Sequence, residues 1–529
     1  MIKHRIASTL LVCVLTLYAA NTASVAEEQY KKIGREALSD ILKGKTEQAI
    51  ESLNQYLEAN PNDLESLYLL TLVYTREGNL EKATQYMQQA VEAGLPFGRF
   101  VAGPRDIFAP LYETSRYREL LNQYQPRLIH GPMLGCVDDH SAKIWVRTAD
   151  EARVQVTVTE RGDMSTPIES DTVRTTKEND YTAVVPVKDL EPDTKYLYGL
   201  SIDGEKLPEK WTFRTHPPSG KEARFQVAFG GGSGYTPRHE KMWNTISSRD
   251  PLAFLFLGDN VYIDHPEQPN VQRYCYYRRQ CRPEYRYFTA TRGIYAIWDD
   301  HDFVTNDSWG GPEIREPAWK IPVWRIYREN WNNPSYAGGE SQPGCWFSFS
   351  IADVDFFMLD GRYYRTDPKI EHPSMLGPIQ KEWLFDELKS SQGTFKVLAS
   401  PVPWAYGAKP GSLDPWQGYK EEREEIFSFL EDNRIEGVIL MSADRHRSDL
   451  WKIERPDGYD FYEFESSRLT NIHHHKVMPE SLFGYNEKCS FGQLIFDTTK
   501  SDPQVTYEII NINNELIYTF ELRKSQLTF

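Results

Sequence analysis

Three textures of apolar patterning follow one another along the chain. Between residues 44 and about 125 the apolar positions recur at helical spacing, as in GKTEQAIESLNQYLEANPND (44–63) and GNLEKATQYMQQAVEAGLP (78–96), which predicts paired helices. From about residue 128 the period shortens to two. AKIWVRT, RVQVTVTE, YTAVVPV, KYLYGLSI and KWTFRT alternate apolar and polar residues between polar turns, and this predicts a small antiparallel sandwich. From residue 224 onward the runs RFQVAFG, LAFLFLG, GIYAIW, FKVLAS and GVILMS are too continuous for half-exposed strands and too short for helices. They read as strands buried on both faces, alternating with helical stretches such as GPIQKEWLFDELKSS and EEREEIFSFLEDN. The pattern predicts a multidomain α+β and α/β protein with a helical region over 27–126, a sandwich over 127–217 and a layered α/β domain over 218–529. THPPSGKEAR is the linker between the last two, and VTYEIINI with LIYTFEL reads as a closing hairpin.

The two helical segments superimpose with a shift of 34, which brings Gly44 onto Gly78, Ala49 onto Ala83 and Ala59 onto Ala93. That period is the tetratricopeptide one. Small residues at Ala49 and Ala83 let paired helices approach. Such repeats either form a concave groove for a peptide or protein partner or act as a helical cap stacked on the next domain. In the sandwich, LEPDTKYLYGL resembles the fibronectin-like signature, with Tyr196 or Tyr198 as the corner tyrosine.

Residues 1–26 have a different logic. Lys3, His4 and Arg5 precede an apolar run from Ile6 to Ala20, and Ser24-Val25-Ala26 offers the small residues of a cleavage site. This reads as a secretory signal peptide, the run being short for a membrane span, and it predicts a periplasmic or secreted protein with no stable membrane span. Downstream cysteines are Cys136, Cys275, Cys281, Cys345 and Cys489. Cys275 and Cys281 bracket a short charged segment and are the expected disulfide in an oxidising compartment. With 76 acidic against 60 basic residues the net charge is -16, which repels polyanions and excludes bulk nucleic-acid binding.

Chemistry gathers where three buried strands end. After LAFLFLG come Asp259, Asn260 and Tyr262; after GIYAIW come Asp299, Asp300, His301, Asp302 and Asn306; after GVILMSA come Asp444 and His446. In layered α/β sheets ligands collect beyond the carboxyl ends of the strands. Carboxylates converging there repel one another unless cations compensate them, and oxygen-rich sets with one or two imidazoles suit hard metals.

The ordered motifs GDNVYID, IWDDHDFVTND, MLDGRYYR, MLGPIQKEWL and SADRHRS resemble those of the alkaline phosphatase D (PhoD-like) branch of the metallophosphatase superfamily. The resemblance spans roughly residues 128 to 500 and implies a layered α/β/β/α metallophosphatase domain preceded by a β-sandwich. It also implies hydrolysis of phosphomonoesters, phosphodiesters or both by metal-activated water, on a small phosphate ester substrate. By position, Asp259 matches the aspartate bridging two metals, Tyr262 a tyrosine ligand, Asp300 the next ligand, Asn306 a second amide oxygen, and Asp444 with His446 the last ligand motif. His301 matches the histidine that contacts substrate phosphate, and Arg362 an arginine near the pocket, which also reads as a member of a buried structural ion pair. Asp299 and Asp302 read as supporting residues and Asp307 as a turn residue.

One departure bears on the cofactor. Iron-containing members carry a cysteine just after the first strand of this domain, where FQVAFGGGSGY has Gly230, Gly231 and Gly232. Two or more metal ions are therefore expected, with calcium favoured and iron lacking its usual thiolate. Gly231 and Gly232 have two readings: backbone amides that cradle the substrate anion, or glycines that permit close chain approach. His473, His474 and His475 read as a loop at the pocket rim, and RYCYYRRQCRPEYRYF (273–288) as a stapled insertion or a phosphodiester clamp. The alternative to an enzyme is a catalytically weakened metal-binding or scaffold protein that uses its helical repeats to bind partners.

Overall fold

A computed structural model describes residues 33–161 and 167–529; the proposed signal peptide lies outside the described residues. The expected elements form where the pattern predicts them. In the helical front, residues 33–42 and Thr46–Ala59 make one antiparallel pair, and Leu64–Arg76 and Leu80–Glu92 make the next. Gly44 and Gly78 carry φ of +81° and +75° at the two turns, a conformation that glycine adopts at no steric cost. Ala49 and Ala83 are fully buried between their helices. Asp63 and Asn79 cap the N-termini of the third and fourth helices by accepting from the backbone N–H of Ser66 and Lys82.

The sandwich and the layered α/β domain share a sheet. Nine strands are hydrogen-bonded in one row, from the closing hairpin Gln504–Asn511 and Leu516–Arg523, through Ser490–Asp497, Arg224–Gly230, Ala253–Leu257 and Gly293–Ile297, to Leu128–Gly135, Ala142–Thr148 and Thr182–Val187. The last three are strands of the predicted sandwich. Their other face packs on the sheet of Arg153–Glu160, Lys195–Ile202 and Glu205–Arg214 through a separate core that includes Val146, Val156, Val185 and Phe213. Tyr196 is the corner tyrosine, its hydroxyl accepting from the Glu191 N–H at 2.7 Å; Tyr198 instead donates to the Ala290 carbonyl of the α/β domain.

A second sheet of seven strands, centred on Val354–Met358, Phe395–Ala399 and Val438–Ser442, lies face to face with the first. Aromatic pairs fill the gap: Tyr295 stacks on Phe349 at 3.8 Å and Phe464 on Tyr507 at 4.6 Å. Helices Met242–Ser248 and Pro283–Thr291 cover the outer face of one sheet, where Trp243 stacks on Phe288, while Lys420–Asp432 covers the other through Phe427 on Phe461. The layering is thus α/β/β/α. Among the described residues no helix is long and apolar enough to cross a membrane.

Two expectations are corrected here. Segment 273–288 is neither an exposed clamp nor a stapled loop but parts of the helices Pro269–Gln280 and Pro283–Thr291, and its arginines point inward: Arg278 lies over the Tyr235 ring and Arg279 over Trp243. Cys275 and Cys281 are free thiols, as are the other three described cysteines. Six positions along a helix advance about 9 Å, beyond the Cα separation a disulfide spans. The Cys275 thiol faces the Tyr262 carbonyl, whereas that of Cys281 turns back on Arg278.

Candidate metal centre

Adjacent parallel strands Ala253–Leu257 and Gly293–Ile297 end side by side, in register through Leu257 and Ile297. Gly258, with φ of +103°, allows this: a Cβ there would stand 2.4 Å from that of Asp299. The chain then enters the left-handed region at four expected ligands, with φ of +54° at Asp259, +55° at Tyr262, +73° at Asp444 and +48° at His446. Such conformations cost about 1–3 kcal/mol each and persist where the surroundings enforce them, typically at functional sites.

Asp302 enforces the first turn. Its carboxylate accepts from the backbone N–H groups of Asn260 and Val261 at 2.8 and 2.9 Å, and from Tyr262 at 3.4 Å. The turn delivers Asp259 and Tyr262 to His446, which arrives from the other sheet. The Tyr262 hydroxyl lies 2.8 Å from His446 Nε2, and Asp259 Oδ2 lies 3.8 Å from the same nitrogen. Asn471, which sequence reasoning missed, completes this corner by donating from its amide to the Tyr262 hydroxyl at 2.7 Å. Ligand atoms of Asp259, Asp300 and His301 also lie within 4.8 Å of one another.

His301 stacks on Tyr262 with ring centroids 4.7 Å apart, and its Nδ1 is 2.5 Å from Asp264 Oδ1. Burial opposes its charged form, but Asp300, Asp259 and Asp264 outweigh this and push its pKa up to about 10. Burial raises the carboxyl groups of Asp299 and Asp300, against the pull of Arg362, and lifts Asp302 to about 7 with help from Asp259.

A second acidic set adjoins the first. Asp300, Asp307 and Asp414 place carboxylate oxygens within 4.8 Å of one another, so Asp307 is more than a turn residue. Asp307 also donates its backbone N–H to Asp300 Oδ2 at 2.6 Å. That turn leaves Asn306 solvent-exposed. Lys409 reaches in from a loop, its ammonium 2.9 Å from Asp307, 3.0 Å from Asp414 and 3.4 Å from Asp444. Burial raises the carboxyl groups of Asp414 and Asp444, but Lys409 and neighbouring arginines more than reverse this and hold both low.

Arg362 is fully buried. It grips Asp299 at 2.5 Å and Asp414 at 2.7 Å, and Asp300 lies 3.9 Å away. The anion cradle expected of Gly231 and Gly232 is also corrected: their N–H groups donate to the Ser466 and Gly258 carbonyls. Close approach is what requires these glycines. A Cβ on Gly231 would stand 2.7 Å from Ala443, and one on Gly232, at φ of +66°, would stand 2.7 Å from the Arg468 nitrogen and 3.2 Å from the His446 ring. Of the three consecutive histidines, His473 and His475 turn toward His446, with ring centroids 5.4 and 5.6 Å from it.

The donor set fits metal ions. Asp259 Oδ1 is buried without a hydrogen-bond partner, an arrangement costly for a carboxylate oxygen unless a cation meets it. The family model described as PhoD-like phosphatase matches residues 227–504, more than half of the chain.

The chain belongs to the PhoD-like phosphatase family.

Models of a domain of unknown function and of a tetratricopeptide repeat match residues 125–219 and 64–93. Alkaline phosphatase D of Bacillus subtilis (strain 168) is 23% identical over 305 residues, covering 49% of this chain and 52% of that protein. The chain thus spans about half the length of this curated relative. A solved structure of PhoD has a TM-score of 0.62 at 17% identity, covering 74% of this chain and 89% of its own. A purple acid phosphatase from yellow lupin (Lupinus luteus) seeds has a TM-score of 0.54 at 12% identity, covering 75% of each chain. These likenesses show the fold. The tetratricopeptide match sits ahead of the PhoD-like region, in a helical front that shares one continuous core with that region.

Proposed function

We propose that this PhoD-like chain is an exported, metal-dependent phosphohydrolase acting on small phosphomonoesters, phosphodiesters or both. The observation that carries this reading is the meeting of Asp259, Tyr262 and His446 from two sheets around a carboxylate oxygen with no hydrogen-bond partner. Asp259, Tyr262 and His446 would hold one ion, with the Asn471 amide beside them on the Tyr262 hydroxyl. Asp259, Asp300 and Asp444 would hold another, and this oxygen-only set favours calcium. Bound cations supply charge neutralisation between ester and nucleophile, and lower the pKa of a water.

The chain's own groups do the rest. Asp264 accepts a hydrogen bond from Nδ1–H of His301 and so leaves Nε2–H to hydrogen-bond the ester phosphate or protonate the departing oxygen. Arg362 locks the carboxylates of Asp299 and Asp414 into place and acts as a positioning residue. Residues 1–26 support export. The close fit of the helical front on the catalytic domain supports a cap more than a free peptide groove, and leaves its outer face to any protein partner.

The test is hydrolysis of p-nitrophenyl phosphate and bis-p-nitrophenyl phosphate by native, chelated and calcium- or iron-restored protein. The reading expects activity that chelation removes and one of these ions restores. Activity indifferent to chelation, or none with any ion, overturns it.

A further inference from the structure

The helical front reaches the centre through one side chain. Arg35 lies on the helix of residues 33–42, yet it is 3% exposed and buried against the loop that follows the strand Ala253–Leu257. Its guanidinium makes two contacts there, both with residues flanking the centre. Nη1 donates to the Tyr262 carbonyl at 2.6 Å, and Nη2 lies 2.5 Å from Asp264 Oδ2. The other oxygen of Asp264 is the one 2.5 Å from His301 Nδ1. Arg35, Asp264 and His301 therefore form a continuous chain from the first described helix to the imidazole.

Three further features show that this contact is built in. Tyr262 and Asp264 both have left-handed backbone, with φ of +55° and +57°, so the loop that Arg35 grips is a strained one. Next to Arg35, Gly34 is so close to the helix Pro269–Gln280 of the α/β domain that a Cβ would stand 2.2 Å from the Tyr274 hydroxyl. On the other side, Glu36 lies 3.4 Å from His265 Nε2. Burying a guanidinium costs several kcal/mol unless its partners are well placed, and here the partners are a carbonyl and a carboxylate of the same loop.

We propose that the tetratricopeptide-like front is an integral part of the active site, supplying Arg35 as a positioning residue that orients His301 through Asp264. The inference rests on the phosphohydrolase reading for its kinetic consequence but not for its structural one. With one guanidinium nitrogen anchored on the Tyr262 carbonyl, the other fixes the Asp264 rotamer through Oδ2, so Oδ1 holds the His301 ring at one angle. Loss of Arg35 removes no metal-ligating side chain and lets the ring turn.

The test compares full-length metal-loaded Arg35→Ala, Arg35→Lys, Asp264→Asn and the Arg35→Ala/Asp264→Asn double variant with wild type. Arg105→Ala serves as the control, because Arg105 joins the front to the sandwich over the Tyr181 ring without touching Asp264. The expected result is a fall of about 10- to 100-fold in kcat for Arg35→Ala, with KM and metal content within twofold of wild type. Lysine should recover part of the loss, the double variant should be no slower than Asp264→Asn, and Arg105→Ala should turn over normally. Histidine-selective 15N NMR gives a readout independent of turnover: the His301 ring signals, assigned with His301→Gln, should move in Arg35→Ala and stay in Arg105→Ala. Unmoved His301 signals in folded Arg35→Ala overturn the inference whatever the activity. So does an equal kcat loss in Arg105→Ala, or wild-type turnover in Arg35→Ala. An inactive wild type with moved His301 signals instead contradicts the phosphohydrolase reading alone.

Discussion

The phenolic oxygen of Tyr262 lies 2.8 Å from Nε2 of His446, although 184 residues separate them. One residue follows a strand of the nine-stranded sheet and the other a strand of the seven-stranded sheet, so their meeting marks the line where the two sheets converge. Asp259 shares that line. Its substitution by Asn removes one negative charge from the ligand set while keeping the shape. We expect Asp259→Asn to lower kcat/KM about a thousandfold and to lose bound metal, as read by elemental analysis of the folded protein.

Gly232 lies beside His446 at φ of +66°, with an added Cβ 2.7 Å from the Arg468 nitrogen. A cysteine there cannot simply restore a missing thiolate. Gly232→Cys and Gly232→Ala should both destabilise the protein by about 1–3 kcal/mol, seen as a lower melting temperature in chelated samples. Restored stability and iron content in Gly232→Cys would contradict this account of the glycine.

Lys409 stands among Asp307, Asp414 and Asp444 as an internal cation. Removing one member of a buried charge set leaves its partners uncompensated, at a cost of about 3–5 kcal/mol. Lys409→Gln should therefore destabilise the chelated protein, and calcium should recover more stability in the variant than in wild type. Equal calcium shifts in the two melting curves would count against this role.

His216 tests the fold away from the centre. Burial lowers its pKa to about 4, against a partial opposing pull from Asp138 and Asp139. The folded state therefore resists a proton that the unfolded chain accepts near pH 6.5. Stability from this residue is complete above that pH and is lost as pH falls toward 4, by about 3 kcal/mol. His216→Gln should flatten the decline of melting temperature between pH 6.5 and 4.

Much of this architecture is legible in the sequence because the physics is local. Val438–Ser442 and Ala253–Leu257 are continuous apolar runs, and their ends carry Asp444, His446, Asp259 and Tyr262 within a few residues. The 34-residue repeat likewise gives away its own turns at Gly44 and Gly78. What escapes notice is brought in by tertiary folding. Arg35, Lys409, Asp414 and Asn471 sit in segments with no distinctive pattern and reach the centre only after two sheets and the helical front have docked. Segment 273–288 misleads for another reason: charge density suggests an exposed loop, yet Arg278 and Arg279 are helical and buried over aromatic rings. Gly231 and Gly232 suggest an anion nest until the carbonyls that take their N–H groups are seen.

The central claim is that cations compensate the carboxylates gathered at the sheet ends. Anomalous diffraction from crystals of untreated protein, with elemental analysis of the same sample, tests it most directly. The account predicts at least two metal peaks, one among Asp259, Tyr262 and His446 and one toward Asp300 and Asp444. Crystals grown with calcium and iron that show no peak within bonding distance of Asp259 would contradict it.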